Sequence, residues 1–206
     1  MSTKERPIIF SGPMVRAILD GNKTQTRRVL KPQPVDLQYG PGAEPWDAST
    51  GYALRCPYGN LGDLLWVRET WGLFNDLGFC DTSLAGLKKL PYHWQLSYRA
   101  DHIDPEKGDG PHQPVWRPSI YMPRWASRIT LEITGIRVER LQQISEADAI
   151  AEGCPLVNPD QFIPGYGGSS ASGWFSQLWE DINGNGSWDV NPWVWVIEFR
   201  LKESQV

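Results

Sequence analysis

The amino-acid sequence predicts an α+β protein that is mainly β, a small and mostly antiparallel sheet or barrel with two or three helices at its rim. Apolar runs with the two-residue period of strands recur along the chain, and only short segments have a helical period. The strand–helix–strand alternation of a parallel sheet is absent. The 206 residues suffice for one core. We therefore expect a single domain over 1–206, with an insertion at about 72–116.

The first part of the chain predicts one strand, one helix and a long connection. Residues 7–10 form a short apolar strand, after which Ser11 caps a helix that Gly21 ends. Residues 26–30 are extended. From 34 to about 62 the chain is rich in Pro, Gly and turn residues, which predicts a loop.

The middle of the chain predicts two strong strands on either side of the insertion. Residues 64–71 are one continuous strand, and 128–140 alternate over a second with Gly135 as a bulge. Within the insertion, only 94–99 has an extended pattern. The insertion therefore covers the core rather than forming part of it.

The last part predicts two helices and a final strand. A helix begins at Ser145 with a capping-box pattern and ends at Gly153. A glycine-rich loop at 165–173 leads into a tryptophan-striped helix near 172–183, and 193–201 alternates as a strand with one apolar face.

Charge is distributed unevenly along an acidic chain. The net charge is −4, which argues against indiscriminate DNA coating. Residues 1–34 carry seven Lys or Arg against two Asp or Glu, and 117–140 carry five against two. If the two segments meet, they form a local basic face suited to phosphate.

Cysteine and histidine usage predicts neither a disulfide framework nor a metal site. The three cysteines are far apart without a CxxC pair, and the three histidines lack ligand spacing. We expect no metal and no cofactor. No apolar run is long enough to cross a bilayer, and the charged N-terminus is no signal peptide, so we expect a cytoplasmic protein without membrane partners.

The densest chemistry lies in Gly21-Asn22-Lys23-Thr24-Gln25-Thr26-Arg27-Arg28. This stretch provides an amine, two hydroxyls and two guanidiniums, the groups that bind an anion or activate a hydroxyl. The glycine suits a helix that ends in a left-handed turn, which would place the polar groups at a defined corner. From the residues alone, a solvated basic loop is the alternative.

Together with other segments, this motif resembles the ASCH family of the PUA-like superfamily. The matching core segments are 21–28, 62–68, 141–153 and 196–199. The whole chain further resembles the longer ASCH proteins of tailed phages and prophages, through 122–128 and 56–59. The resemblance is weak over 72–116.

The resemblance implies a small β-barrel that acts on nucleosides or nucleic acids, in a bacterial or phage-infected cell. Some family members are amidohydrolases that remove the acetyl group of N4-acetylcytidine, and others are credited with RNA cleavage. In the amidohydrolases the motif's lysine, its second threonine and a later helical glutamate perform the chemistry. Those roles fall on Lys23, Thr26 and Glu152, with Glu146 in the same helix as the other candidate glutamate.

These roles are chemically consistent. A threonine hydroxyl needs a base, and a lysine can serve only as the neutral amine. Its pKa near 10.4 must then fall towards neutrality, which costs about 4 kcal/mol. Glu152 would protonate the leaving amine or position water, and Arg28 or a backbone amide would hold the oxyanion. This mechanism predicts that Lys23 and Thr26 converge in the folded protein.

Two classes of function stay open. One is hydrolysis of an N4-acyl group on a cytidine-type base. The other is a binding module for RNA, DNA or a modified base, or a ribonuclease, with RNA rather than DNA as the expected partner. Tryptophans at 71, 94, 116 and 125 are either stacking platforms or buried. The predicted substrate or nucleic-acid contacts are Thr24, Arg27, Arg28, Arg68, Arg124, Trp125 and Arg128, with Ser127 a weaker candidate.

Overall fold

The computed structural model of the chain describes residues 3–42, 44–75, 94–102, 116–155 and 170–202. Within these ranges the protein is mainly β, with ten strands and three α-helices. The mainly-β α+β class and the number of helices expected from the sequence are confirmed. The sheets formed by the described residues are open, so the barrel stays a prediction.

The elements are numbered in chain order. The strands are Glu5–Ile9 (β1), Gln25–Val29 (β2), Leu37–Tyr39 (β3), Pro45–Asp47 (β4), Tyr52–Ala53 (β5), Leu64–Arg68 (β6), Trp71–Asn75 (β7), Trp94–Tyr98 (β8), Thr130–Arg140 (β9) and Trp193–Leu201 (β10). The helices are Gly12–Leu19 (α1), Glu146–Ala151 (α2) and Ala171–Asn183 (α3). None of these helices is long and apolar enough to cross a membrane.

The chain divides into two compact units. The first unit consists of Met1–Asp20, Leu64–Leu131 and Leu201–Val206, and the second consists of Gly21–Asp63 and Glu132–Arg200. Residues 76–93 and 103–115 of the expected insertion lie outside the described residues. The single domain with its insertion at 72–116 stays a prediction.

In the first unit, β1 pairs in parallel with β6, from Glu5 opposite Leu64 to Ile9 opposite Arg68. Helix α1 begins where expected, but the Ser11 side chain makes no capping hydrogen bond. Strand β1 begins at Glu5, two residues before the predicted start.

The single strand expected over 64–71 is two strands. Strand β6 ends at Arg68, and β7 begins at Trp71 and pairs with β8 in antiparallel register. At the break, Glu69 N donates to the sulfur of Met122, a residue distant in the sequence, rather than to a strand carbonyl. The Thr70 carbonyl accepts from Arg99 N at 2.9 Å.

In the second unit, β10 lies between β9 and β2. Strands β2 and β10 are antiparallel, with Thr26 opposite Ile197 and Arg28 opposite Trp195. Leu30 N donates to the Trp193 carbonyl at 3.0 Å, which extends this ladder by one residue. Because strand side chains alternate, Thr26, Arg28 and Leu30 share one face of β2, and Gln25, Arg27 and Val29 share the other.

Both faces of β10 are buried, which differs from the expected single apolar face. Val194 and Val196 pack in a core cluster with the buried aromatic side chains of α3. Trp195 and Ile197, on the opposite face, are buried as well. The sequence alternation failed here because aromatic and branched residues occupy both faces of a strand that is covered on both sides.

The sequence predicts a loop over 34–62, and this prediction is wrong. Strands β3, β4 and β5 form a three-stranded antiparallel sheet within this segment. Asp47 fixes the turn after β4, since its carboxylate accepts from backbone N–H groups at Val35, Asp36 and Ser49. The Pro and Gly residues of this segment separate strands of two or three residues. Strands this short do not show the two-residue alternation of apolar side chains by which a strand is predicted.

The end signals of the second unit behave as predicted. The Ser145 hydroxyl accepts from Asp148 N at 3.1 Å and caps α2, and Gly153 follows with φ +96°. Gly21 has φ +76°, the left-handed conformation expected of it. Helix α3 buries its tryptophan stripe, and residues 165–169 of the glycine-rich loop lie outside the described residues.

Candidate functional site

The turn at Gly21 places Lys23 beside the end of α2. Lys23 forms an isolated antiparallel β-bridge with Glu152, and Thr24 N donates to the Ala151 carbonyl at 2.8 Å. Two local stop signals, Gly21 and Gly153, thus bring the motif and the α2 glutamate together.

Lys23 and Glu152 form a buried ion pair. Lys23 Nζ donates to Glu152 Oε2 at 2.7 Å and to the Glu152 carbonyl oxygen at 2.7 Å. The exposed fractions of the two side chains are 0% and 3%. Glu146, the other candidate, instead accepts from Ala171 N at 2.7 Å at the start of α3. Glu152 rather than Glu146 is therefore the partner of Lys23.

Arg27 shares Glu152 with Lys23. Its Nη1 donates to Glu152 Oε1 at 3.2 Å, and its Nη2 donates to Glu139 and to Asp148 Oδ2, the latter at 3.3 Å. The guanidinium also lies 5.7 Å from the centre of the Phe175 ring. The Arg27 side chain is thus buried, and both of its Nη atoms are bonded to carboxylates of the protein. Its contact with a ligand stays a prediction.

Arg137 completes a charged network that we call the Lys23 cluster. It donates to Glu139 Oε2 at 3.1 Å, to Asp148 Oδ1 at 3.0 Å and to the Glu198 carboxylate. The cluster consists of three cations and four carboxylates: Lys23, Arg27, Arg137, Glu139, Asp148, Glu152 and Glu198.

Sequence reasoning missed several members of this cluster. Asp148 lies in α2, four residues before Glu152, which caps the C-terminal end of that helix. This spacing puts both carboxylates on one helix face, so the sequence could have predicted that they lie together. Arg137 and Glu139 are two residues apart on β9 and share a face. Nothing in the sequence, however, indicated that this face would meet Arg27.

Burial lowers the pKa of the Lys23 amine below its ordinary value. The Glu152 carboxylate raises the pKa of the same amine, and the positive charges of Arg28 and Arg27 lower it further. Burial also lowers the pKa of Arg28. The neutral form of the Lys23 amine is therefore more favourable at this site than it would be for a lysine exposed to solvent.

Thr26 is buried on β2, on the face that also carries Arg28. Its convergence with Lys23 stays a prediction. Thr24 is exposed and lines a cavity of about 380 Å³ with Asn22, Ile150 and Cys154. The cavity borders the segment where the motif meets α2, but Lys23 and Glu152, which are buried, do not line it.

In the first unit, Arg128 is held by two carboxylates. It donates to Glu69 at 3.0 and 3.1 Å and to both oxygens of Asp101 at 2.8 Å, and its guanidinium lies 4.0 Å from the centre of the Tyr98 ring. We call Arg128, Glu69, Asp101 and Tyr98 the Arg128 cluster. Burial raises the pKa of Glu69 and raises that of Tyr98 to about 12.

The other predicted contacts of the first unit also meet protein groups. Arg124 donates to both Glu5 oxygens at 2.9 and 3.4 Å, and Arg68 lies 4.7 Å from the centre of the Trp66 ring. The Ser127 hydroxyl donates to the Val67 carbonyl at 2.8 Å. Carboxylates thus offset much of the positive charge counted in the sequence.

The tryptophans of this unit are largely structural. Trp71 is fully buried, which excludes it as a stacking platform, and Trp125 packs edge-on against it with ring centres 5.9 Å apart. Trp116 packs edge-on against His102 at 5.1 Å. The side chain of Trp94 is outside the described set.

Within the described ranges, no group of three or more His, Cys, Asp and Glu side chains is arranged to hold a metal ion. Cys56 and Cys154 form no disulfide bond within the described part of the chain. Cys80, His93 and His112 lie outside those ranges.

No protein-family model matches this chain, and no curated protein matches it in sequence. Among solved structures, it is similar to the ASCH domain from Lactobacillus crispatus JV V101, known from a high-resolution crystal structure. The identity is 12% and the TM-score is 0.41, over 96% of this chain and 79% of that one. That neighbour bears the name of the family that the sequence motifs resemble.

Proposed function

We propose that the protein hydrolyses an N4-acyl group on a cytidine-type base, with Lys23, Thr26 and Glu152 as its catalytic residues. The observation that carries the proposal is the Lys23 amine, which is buried against Glu152 at 2.7 Å and has a lowered pKa. A buried ionisable pair with a perturbed pKa is characteristic of functional sites. N4-acetylcytidine is the substrate that the motif favours.

The proposed first step is attack on the acyl carbonyl. The neutral Lys23 amine accepts the proton of the Thr26 hydroxyl, whose oxygen bonds to the carbonyl carbon. Arg28, on the same face of β2 as Thr26, stabilises the negative oxygen of the tetrahedral intermediate.

The intermediate then collapses, and the bond from the acyl carbon to N4 breaks. The proton held by Lys23 passes to N4, which leaves as the exocyclic amine of cytidine. Water, positioned by Glu152, next attacks the acyl-threonine ester and releases the carboxylic acid. One water is consumed, and one amide becomes one amine and one acid.

At a coarser level, we propose an ASCH-type, PUA-like domain that recognises a nucleoside or nucleic acid, RNA rather than DNA, in the cytoplasm of a bacterial or phage-infected cell. The support is the set of motif segments and the contact between the motif lysine and the α2 glutamate. The acidic net charge fits recognition through a local site rather than a general electrostatic surface.

The competing function is base or nucleic-acid binding without chemistry, or RNA cleavage. Complete burial of the Lys23 side chain favours binding without chemistry, because Glu152 already accepts two of the amine's hydrogen bonds. In that case the ion pair serves as a rigid support for the corner at Gly21.

Hydrolysis of N4-acetylcytidine and other N4-acylated cytosines separates these functions. We expect turnover by the wild type, and a loss of about 10²- to 10⁴-fold in Lys23→Met, the range for removal of a general base. Thr26→Val removes the hydroxyl at nearly constant volume and should also abolish turnover, whereas Thr26→Ser should retain part of it.

Lys202→Met is the matched lysine control, since Lys202 is exposed. Its turnover should equal that of the wild type, and circular dichroism of each variant verifies folding. A folded wild type that hydrolyses none of these substrates would overturn the amidohydrolase proposal in favour of binding or RNA cleavage.

A further inference from the structure

A second cavity of the same unit, of about 330 Å³, lies beside the end of β2. The residues that line it include the buried Leu30 and Trp195 and also Tyr52, which is 76% exposed. Lys31 and Arg55 also line it. We call this the Tyr52 cavity.

The two cations of the Tyr52 cavity are unlike the arginines described above. Within the described ranges, Lys31 and Arg55 make no hydrogen bond, ion pair or ring contact with another side chain or with backbone. Arg27, Arg124 and Arg128, by contrast, each contact at least one carboxylate. Two exposed cations that share one cavity and have no internal partner are suited to an anionic ligand.

The one carboxylate that lines the cavity is already engaged. Asp47 accepts from three backbone N–H groups, and one of its oxygens accepts the Ser49 hydroxyl at 2.7 Å. The hydrogen bond from the Ser49 side chain is the main cause of its lowered pKa. Asp47 therefore holds the turn and forms no ion pair with Lys31 or Arg55.

The Tyr52 cavity lies next to the strand face that carries Thr26 and Arg28. Trp195, which lines the cavity, is the cross-strand neighbour of Arg28. Leu30 is two residues beyond Arg28 on the same face, a distance of about 7 Å along a strand. A ligand that contacts both Arg28 and this cavity therefore needs chemical units spaced by about 7 Å. It also needs a phosphate to contact the cations and a base to stack on the exposed aromatic ring.

We infer that the Tyr52 cavity binds a nucleotide of a single-stranded nucleic acid, with Lys31 and Arg55 on its phosphates and Tyr52 stacked on a base. The inference rests on the proposed function and refines it, because the substrate base then belongs to an oligonucleotide rather than to a free nucleoside. Cations interleaved with an exposed aromatic ring are the usual means of binding single strands.

The test is binding of a short, unacylated single-stranded RNA by fluorescence anisotropy over a range of salt concentrations. We expect the Lys31→Ala/Arg55→Ala variant to bind about tenfold more weakly than the wild type, because two phosphate contacts are lost. The slope of log affinity against log salt should become shallower by about 1.4, or 0.7 for each contact. Tyr52→Ala should weaken binding by about tenfold through lost stacking.

The matched control is Arg200→Ala/Lys202→Ala, which makes the same change in net charge at two exposed cations away from this cavity. Its affinity and salt slope should equal those of the wild type. Equal affinities for the two double variants would overturn the inference. Because the RNA carries no acyl group, binding is measured without chemistry, and its result is distinguishable from a failure of Lys23-dependent hydrolysis.

Discussion

The Lys23 cluster and the Arg128 cluster contain the same kinds of groups, but they share their carboxylates differently. Arg128 has two carboxylates, Glu69 and Asp101, each within 3.1 Å. In the Lys23 cluster, Lys23 and Arg27 divide the oxygens of a single Glu152. Two carboxylates thus compensate the single charge of Arg128, whereas Lys23 shares its carboxylate with a second cation.

The difference explains why the pKa values of Lys23 and Arg128 are shifted in opposite directions. Burial lowers the pKa of both, but hydrogen bonds to Glu69 and Asp101 raise the pKa of Arg128 above its ordinary value. Glu152 alone does not offset the burial of Lys23, so the pKa of its amine falls. Local charge density in a sequence therefore does not predict the direction in which the pKa of a cation shifts. That direction depends on its burial and on how many carboxylates compensate it.

The largest difference that we expect between the Lys23 cluster and the Arg128 cluster is in their contribution to stability. Glu152→Ala leaves Lys23 and Arg27 buried without their shared carboxylate, and we expect the free energy of unfolding to fall by about 3–5 kcal/mol. Asp101→Ala removes a half-exposed partner of Arg128 and should cost about 0–1 kcal/mol. Urea unfolding measures both. Equal losses would mean that the Lys23 pair is no more buried in solution than the Arg128 pair.

A second comparison uses acid. The pKa of Asp148 is lowered, because the charges of Arg137 and Arg27 outweigh the effect of its burial. Its contribution to stability is therefore present above its ordinary pKa and is lost as the pH falls through the lowered value. The stability difference between the wild type and Asp148→Asn, about 1 kcal/mol near neutral pH, should shrink towards acid.

Glu69 should show the opposite sign. Burial raises its pKa, so its charged form costs stability as the pH rises from its ordinary pKa through the raised value. Relative to Glu69→Gln, the wild type should gain stability as the pH falls through that window. Chemical unfolding at several pH values measures both variants, and the same slope for Asp148→Asn and Glu69→Gln would contradict the account.

The smallest effect is expected at Arg124. Its side chain and that of Glu5 are each 43% exposed, and ion pairs with that exposure contribute about 0–1 kcal/mol. Arg124→Ala should therefore shift the urea midpoint only slightly, and added salt should reduce even that shift. A loss as large as that of Glu152→Ala would show that exposure does not separate the two regions.

The motif singled out Lys23, and the family resemblance pointed to Glu152, with Glu146 as the other candidate. Both Lys23 and Glu152 lie close to a local signal for the start or the end of a helix. Gly21 follows α1 with a left-handed φ, and Ser145 caps the helix whose end presents Glu152. Such local signals depend on neighbouring residues only. They predict where a side chain enters the structure, although not what it meets there.

The rest of the site depended on contacts between distant parts of the chain. Arg27 meets Glu139 and Asp148 across more than a hundred residues, and no periodic pattern reports such a contact. The break between β6 and β7 was hidden for a similar reason, because the Met122 sulfur that engages Glu69 N comes from far along the chain. Strands as short as β5 carry too few residues to show alternation.

The most direct test of the account is the titration of the Lys23 amine itself. Carbon NMR of side-chain-labelled lysines, compared with Lys23→Met, assigns the Lys23 signal. We predict that this signal titrates clearly below the ordinary lysine pKa of about 10.4. A Lys23 signal that titrates at or above that value would contradict the account, since a fully charged amine cannot act as the base that the proposed hydrolysis requires.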